Sequence, residues 1–149
     1  MARLLVAWRK AGRPVVHVKH NSTLTDSPLH PLHPGNAIKP EVAPLPSERI
    51  FEKRVNSGFI GTHLEEYLRA LGVTDLVIVG LTTPHCVSTT TRMAANLGFT
   101  VRLVADATAA FDCTAHDGRA IAAAEVHYHA LATLHREFAE VVMTTQVGC

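Results

Sequence analysis

The sequence from Leu76 to Gly98, LVIVGLTTPHCVSTTTRMAANLG, leaves few folds open to this chain. An apolar run of strand length, Leu76–Val79, stops at Gly80. A polar turn, Thr82-Thr83-Pro84-His85, then leads into a helical segment that opens at Cys86 and closes at Gly98. Thr83 can cap that helix and Pro84 can be its first residue, since proline's missing N–H would be unpaired there anyway. Cys86 then falls in the first helical turn, where free N–H groups and the helix dipole favour a thiolate over a thiol. α/β enzymes present nucleophiles in this way at the carboxyl end of a sheet. A buried structural cysteine is the competing reading of the same residue.

The flanking sequence repeats the alternation. Residues 2–11 place Leu4, Leu5 and Trp8 on one face and stop at Gly12, which predicts an amphipathic helix. Val15–His20 is a short β-branched run that predicts a strand, and Ile50–Lys53 predicts a second. In the helix predicted from Thr62 to Gly72, Thr62 and Glu65 have capping-box spacing and Leu64, Leu68 and Leu71 line one face. Leu76–Val79 is then a strand, Val87–Leu97 a helix and Val101–Ala105 a strand ending at Asp106. A turn around Phe111–Gly118, an alanine-rich helix over Arg119–Arg136 and a last strand over Ala139–Thr144 complete the series. Strands alternating with helices at this spacing predict one α/β domain over residues 1–149. It is a three-layer arrangement, a mostly parallel sheet with right-handed crossovers and helices on both faces.

Between these elements, Asn21–Arg49 has no periodicity and holds six of the chain's eight prolines. It exceeds the roughly 12–15 residues beyond which a structureless loop usually has a function, and the prolines stiffen it, so a lid or a subunit-contact arm is expected.

Charge and composition exclude several classes of function. The formal net charge is +1 and no run of Lys or Arg exceeds two residues, so nucleic acid is not an expected partner. No apolar run reaches membrane-spanning length, and MARLLVAWRKAG lacks the h-region and cleavage site of a signal peptide. Three cysteines, Cys86, Cys113 and Cys149, are odd in number and lack metal-type spacing, which fits free thiols in a reducing cytoplasm. Among the ten histidines, His127 and His129 lie two apart on a predicted helix and His30 and His33 sit in the proline-rich loop. None has zinc-site spacing, and neither a metal nor another cofactor is expected.

Lys53 is the second candidate for chemistry. It ends a strand, is followed by Asn56, Ser57 and Gly58, and in a parallel sheet would share the carboxyl edge with Cys86. An ammonium there would favour the thiolate and stabilise developing negative charge. An ordinary surface lysine is the plainer alternative.

The strings EKRVNSGFIGTHLEEYLRALGV, DLVIVGLTTPHCVSTTTRMAANLGFTV and LVADATAAFD resemble the isochorismatase-like cysteine hydrolases, as does VVHVKHNS followed by SPLHP. The resemblance implies that Cys86 is the nucleophile attacking an amide-type carbonyl to give a thioester, and that Lys53 is the catalytic lysine. It implies a cis peptide at Leu81–Thr82, which aims the Thr82 N–H, with the Cys86 N–H, at the oxyanion. Ser57 and Phe59 are assigned to the substrate pocket, His85 either shapes that pocket or faces solvent, and Asp106 resembles a structural aspartate. Isochorismatases of this fold cleave a vinyl ether without a cysteine nucleophile, so Cys86 argues against that activity. Nicotinamidase relatives bind a metal near their second strand, and Asn21 and Ser22 after His20 do not reproduce that pattern. A small-molecule substrate with a C–N bond, amide or ureido, is expected, and a homo-oligomer, dimer or tetramer.

One departure stands out. The family begins with a strand of the type Val-Ile-Asp-x-Gln whose aspartate is the general base, and none of Asp26, Asp75, Asp106, Asp112 and Asp117 matches it. Relative to that pattern the chain reads as truncated, and Met1 is expected to be an internal methionine of a longer reading frame. A gap is then expected between the strands of Val15–His20 and Leu76–Val79, or a changed strand order, or an edge open to another chain. General-base help is typically worth ~10²–10⁴-fold, so the alternative is an impaired or inactive module with a binding or subunit-assembly role.

Overall fold

The computed structural model describes residues 1–148; Cys149 lies outside them. The elements run α1 (Ala2–Lys10), β1 (Val16–His20), β2 (Arg49–Lys53), α2 (Leu64–Ala70), β3 (Asp75–Leu81), α3 (Ser88–Asn96), β4 (Thr100–Ala109), β5 (Cys113–Thr114), β6 (Ala120–Ile121), α4 (Ala123–Ala132) and β7 (Glu140–Val142). Period-two alternation in the parallel strands explains the layering. Leu76 and Ile78 of β3 pack into a cluster with Leu64 and Leu68 of α2, Ala94 of α3, and Val101 and Leu103 of β4. Val77 and Val79 turn the other way, toward Leu4 and Trp8 of α1, Val104, Val142 and Val147. Helices therefore cover both faces, as the strand–helix alternation predicts.

The parallel strands form two sheets rather than one. β1 pairs with β2 in one, and the other has the order β3-β4-β7. Between them runs a cavity of about 450 Å³ lined by Val16, Val18, Lys19 and His20 from β1 and by every residue from Leu76 to Leu81 of β3. Consecutive residues of one strand point to alternate faces, so the cavity follows the edge of β3 rather than one of its faces. Among the described residues, neither β1 nor β3 has a strand partner along the edge it turns to this cavity.

Four local expectations need correction. The capping box at Thr62 does not form: the Thr62 hydroxyl donates to the Gly58 carbonyl (2.6 Å), and His63 occupies the cap position. Leu71 does not share the buried face of Leu64 and Leu68; it lies past the last helical turn and is exposed. The strand predicted to stop at Asp106 continues to Ala109 across a register shift opposite Ile78–Gly80, where the Thr108 hydroxyl donates to the Val104 and Ala105 carbonyls. The alanine-rich helix spans only Ala123–Ala132. Cys113–Thr114 and Ala120–Ile121 pair instead as a short antiparallel hairpin, and Asp112 accepts the Ala123 N–H at 2.7 Å to start the helix.

The proline-rich loop is ordered by its own turns. Pro34 and Pro40 each begin a 3₁₀ turn, where proline's fixed φ suits the first position. Asn36, buried, donates to the carbonyls of His20 (2.9 Å) and Leu29 (2.6 Å) and so pins the loop to the end of β1. At the other end of the loop, Glu48 accepts two bonds from Arg9 of α1 (2.7 Å each) and one from the Leu45 N–H (2.9 Å). His17 Nε2 of β1 lies 2.9 Å from the same carboxylate.

Candidate active site

β1 and β2 run parallel in a register that sets His20 beside Lys53 at their carboxyl ends. β3 ends nearby and hands over to the cysteine-bearing turn. The Leu81–Thr82 peptide is cis, as the resemblance implies. The turn itself is a π-helical segment, Thr83–Val87, that precedes α3, so Cys86 lies one element earlier than a first α-helical turn. Val87 N–H reaches back to the Thr82 carbonyl at 3.2 Å, the i to i+5 bond of a π turn. Thr83 does not cap. Its hydroxyl, fully buried, pairs with His127 Nδ1 of α4 at 2.8 Å, and Thr82 takes the cap position. Pro84, expected as the first residue, is the second, because the segment starts one residue earlier at Thr83.

The strand-end lysine meets the cysteine. Lys53 is 4% exposed, and its Nζ lies 3.1 Å from Cys86 Sγ, 2.9 Å from the Val55 carbonyl and 3.0 Å from His20 Nδ1. An ammonium has three donors and no acceptor, so these three neighbours account for all of its protons. That saturation offsets the cost of holding the charge out of water. His20 Nδ1 is also 3.8 Å from Cys86 Sγ. Burial, and then the positive charge of Lys53, hold the His20 imidazole below its ordinary value of 6.5, which keeps the ring neutral near pH 7.

The pocket assignments separate. Phe59 lines the inter-sheet cavity together with Lys53, His20 and Cys86. Ser57 is buried, and its hydroxyl accepts the Phe59 N–H at 3.2 Å, which shapes the turn after β2. His85 is exposed and pairs through Nδ1 with the Thr82 hydroxyl at 2.9 Å. Cys113 is exposed and lines a different, open depression of about 500 Å³ with Arg92 and Arg119. Asp106 accepts from the Thr144 hydroxyl (2.6 Å) and N–H (2.8 Å), which lower its pKa below the ordinary 3.8. Among the described residues, no three His, Cys, Asp or Glu side chains gather as a metal site would require.

Reasoning from the sequence missed His20 and Asn36. The signal for His20 was present: VVHVKH and IFEK end in polar residues, and parallel pairing sets two strand ends at one edge. For Asn36 there was none, because its burial depends on how the loop folds back.

Fold and site together define an α/β protein with a lysine-paired cysteine where a parallel strand gives way to a helix. The chain matches the isochorismatase domain over residues 1–146. It is 48% identical over 147 residues to the uncharacterized isochorismatase family protein YrdC of Bacillus subtilis, a match covering 99% of this chain and 79% of that one. A putative hydrolase of the isochorismatase family from Chromobacterium violaceum superposes with a TM-score of 0.92 at 46% identity, over 97% of this chain and 75% of that one. A cysteine hydrolase from Pseudomonas syringae pv. phaseolicola superposes with a TM-score of 0.88 at 29% identity, over 97% and 75% respectively. The chain belongs to the isochorismatase family of hydrolases.

Proposed function

We propose that this chain is a cysteine-dependent hydrolase of a small amide or ureido-type C–N bond. The observation that carries the reading is the 3.1 Å contact between Lys53 Nζ and Cys86 Sγ. A positive donor held against sulfur favours the thiolate, the form that attacks carbonyl carbon. In this reading Cys86 Sγ bonds to the carbonyl carbon, the nitrogen group leaves with a proton, and water releases the acid from the thioester. The N–H groups of Thr82 and Cys86 receive the oxyanion, while Phe59 lines the pocket and Ser57 shapes the turn beside it. Four leucines of the proline-rich loop, Leu24, Leu29, Leu32 and Leu45, are exposed, which favours an arm that contacts another copy in a homo-oligomer.

A panel of small amides and carbamoyl compounds, run on this chain and on one extended upstream, tests the activity. Cys86→Ala abolishes turnover and Cys113→Ala leaves it within about twofold, since only Cys86 faces Lys53; equal losses from the two variants remove Cys86 from its role. The open edges of β1 and β3 favour the second reading, an impaired module that binds or assembles. Alkylation of Cys86 by iodoacetamide separates the two. Reactivity persisting well below the free-thiol value of about 8.5 supports the hydrolase, and an ordinary titration supports the module.

A further inference from the structure

We propose that His127 of α4 is a positioning residue for Cys86: through the buried Thr83 hydroxyl it holds the turn that sets the sulfur against Lys53. The inference deepens the cysteine-hydrolase reading and rests on it. His127 and His129 lie two apart on α4 and serve different ends. His129 is exposed, 4.0 Å from Glu125 one turn back. His127 Nδ1 instead lies 2.8 Å from the Thr83 hydroxyl. Thr83 is fully buried and opens the segment that carries Cys86.

A single π turn has few backbone bonds of its own. The His85 and Val87 N–H groups both donate to the Thr82 carbonyl, at 3.2 Å each. Those bonds close the turn but do not orient it against the rest of the molecule, and the Thr82–His85 side-chain bond is equally local. Orientation has to come from the two ends of the segment, Thr83 and Val87, both of which are buried. Val87 belongs to the apolar cluster of α2 and β4, and such packing is non-directional. At Thr83 the hold is a hydrogen bond, which does have a direction. Cys86 lies between these two anchors, with Lys53 Nζ at 3.1 Å and His20 Nδ1 at 3.8 Å from its sulfur.

The helix that brings His127 is itself placed by a polar contact. No residue of α4 is fully buried, whereas α2 and α3 each bury two. Asp112 accepts the Ala123 N–H at 2.7 Å and so fixes where the helix starts, one turn before His127. The bond to Thr83 forms with either ring tautomer, because a hydroxyl both donates and accepts. Without the ring, the Thr83 hydroxyl is a buried polar group that has lost its partner, and the turn must shift to satisfy it. A shift of about 1 Å at the sulfur takes the 3.1 Å contact with Lys53 out of hydrogen-bonding range and weakens its support of the thiolate.

The test compares variants that delete the bond with variants that keep it. Thr83→Val retains the shape without the hydroxyl and His127→Ala removes the ring, while Thr83→Ser and His127→Asn each keep a group able to bond. Two measurements are made on each: the pH profile of Cys86 alkylation by iodoacetamide, and hydrogen exchange of the His85 and Val87 amides by NMR. Thr83→Val and His127→Ala are expected to alkylate about 10-fold more slowly near pH 7, with the profile moved up toward the free-thiol value of about 8.5. Their His85 and Val87 amides should exchange about 10-fold faster while the buried Leu103 of β4 keeps its protection. Thr83→Ser and His127→Asn should stay within about twofold of wild type, and the double deletion should be no worse than the worse single. Wild-type behaviour in both deletion variants, or losses that add in the double, overturns the proposal. If Thr83→Val also loses protection at Leu103, His127→Ala decides; general loss in both assigns the bond to stability alone and likewise overturns it. Exchange needs neither thiolate nor substrate, so the two readings fail separately. An ordinary wild-type thiol titration, with exchange that follows the bond, refutes the hydrolase reading alone. Turnover of an amide, with alkylation and exchange that ignore the bond, refutes this proposal alone.

Discussion

Replacing Glu48 by glutamine tests whether one carboxylate anchors the strands that carry His20 and Lys53. Glu48 joins Arg9 of α1, His17 of β1 and the Leu45 N–H at the end of the proline-rich loop, and its side chain is 8% exposed. The hydrogen bonds from Arg9 hold its carboxyl well below the ordinary 4.5, at about 2. At about 1.36 kcal/mol for each tenfold change in proton affinity, that difference is worth at most ~3.4 kcal/mol. The Arg9 side chain is 23% exposed, so solvent is present at the pair. Screening brings the expected loss in Glu48→Gln to ~2 kcal/mol, a fall in Tm of about 6 °C for a chain of this size. The sign follows from the direction of the shift. The folded carboxyl binds a proton less readily than the unfolded one, so the stabilisation is complete above about pH 4.5 and is lost as the pH falls toward about 2. Urea unfolding near pH 7, near pH 5 and near pH 3 should show wild type above Glu48→Gln by ~2 kcal/mol at the first two and by less than half of that at the third. A gap below about 0.5 kcal/mol near pH 7, or one that does not shrink near pH 3, refutes the reasoning.

Asn36→Ala strips two backbone carbonyls of their donor inside the loop and should lower stability by about 1–3 kcal/mol, read as a fall in Tm of roughly 5 °C. A shift under about 1 °C would show that the loop is held by other contacts. Asp106→Asn should cost about 1 kcal/mol through its lost charge-assisted bonds from Thr144, with Cys86 alkylation unchanged. This contribution is present above pH 3.8 and fades below it, because the Thr144 bonds lower the Asp106 pKa. A large drop in Cys86 reactivity would place Asp106 in the site.

Local patterns in the sequence were enough to find the strands and helices that hold the site, because each has its own signature. The β-branched run of β1 and the apolar run of β3 are read directly. Lys53 and Cys86 can be paired from the strand pattern, since parallel strands bring their ends to one edge. What was not legible depended on partners distant in sequence. Thr83 reads as a helix cap until His127 claims its hydroxyl, and Thr62 reads as half of a capping box until the Gly58 carbonyl does. The alanine-rich segment reads as helix from Arg119 because alanine propensity says nothing of a hairpin that closes against Cys113–Thr114. Division of the strands into two sheets was one of the three arrangements expected from the departure from the family pattern, and which of them forms is a matter of pairing that no single strand encodes.

That division has a mechanical consequence. Lys53 and His20 ride on one sheet, and Cys86 leaves the end of the other. No backbone ladder crosses from one to the other among the described residues; the crossing contacts are side-chain ones, such as the Lys53–Cys86 bond and the bond from the Gly58 N–H to the Thr90 hydroxyl at 3.0 Å. Val16 and Phe51 of the first sheet pack on the same apolar cluster as Ile78 and Leu103 of the second, so side-chain packing rather than a shared ladder sets the Nζ–Sγ separation. A cavity-making substitution in that shared cluster is thus felt at the sulfur, although it touches neither Lys53 nor Cys86.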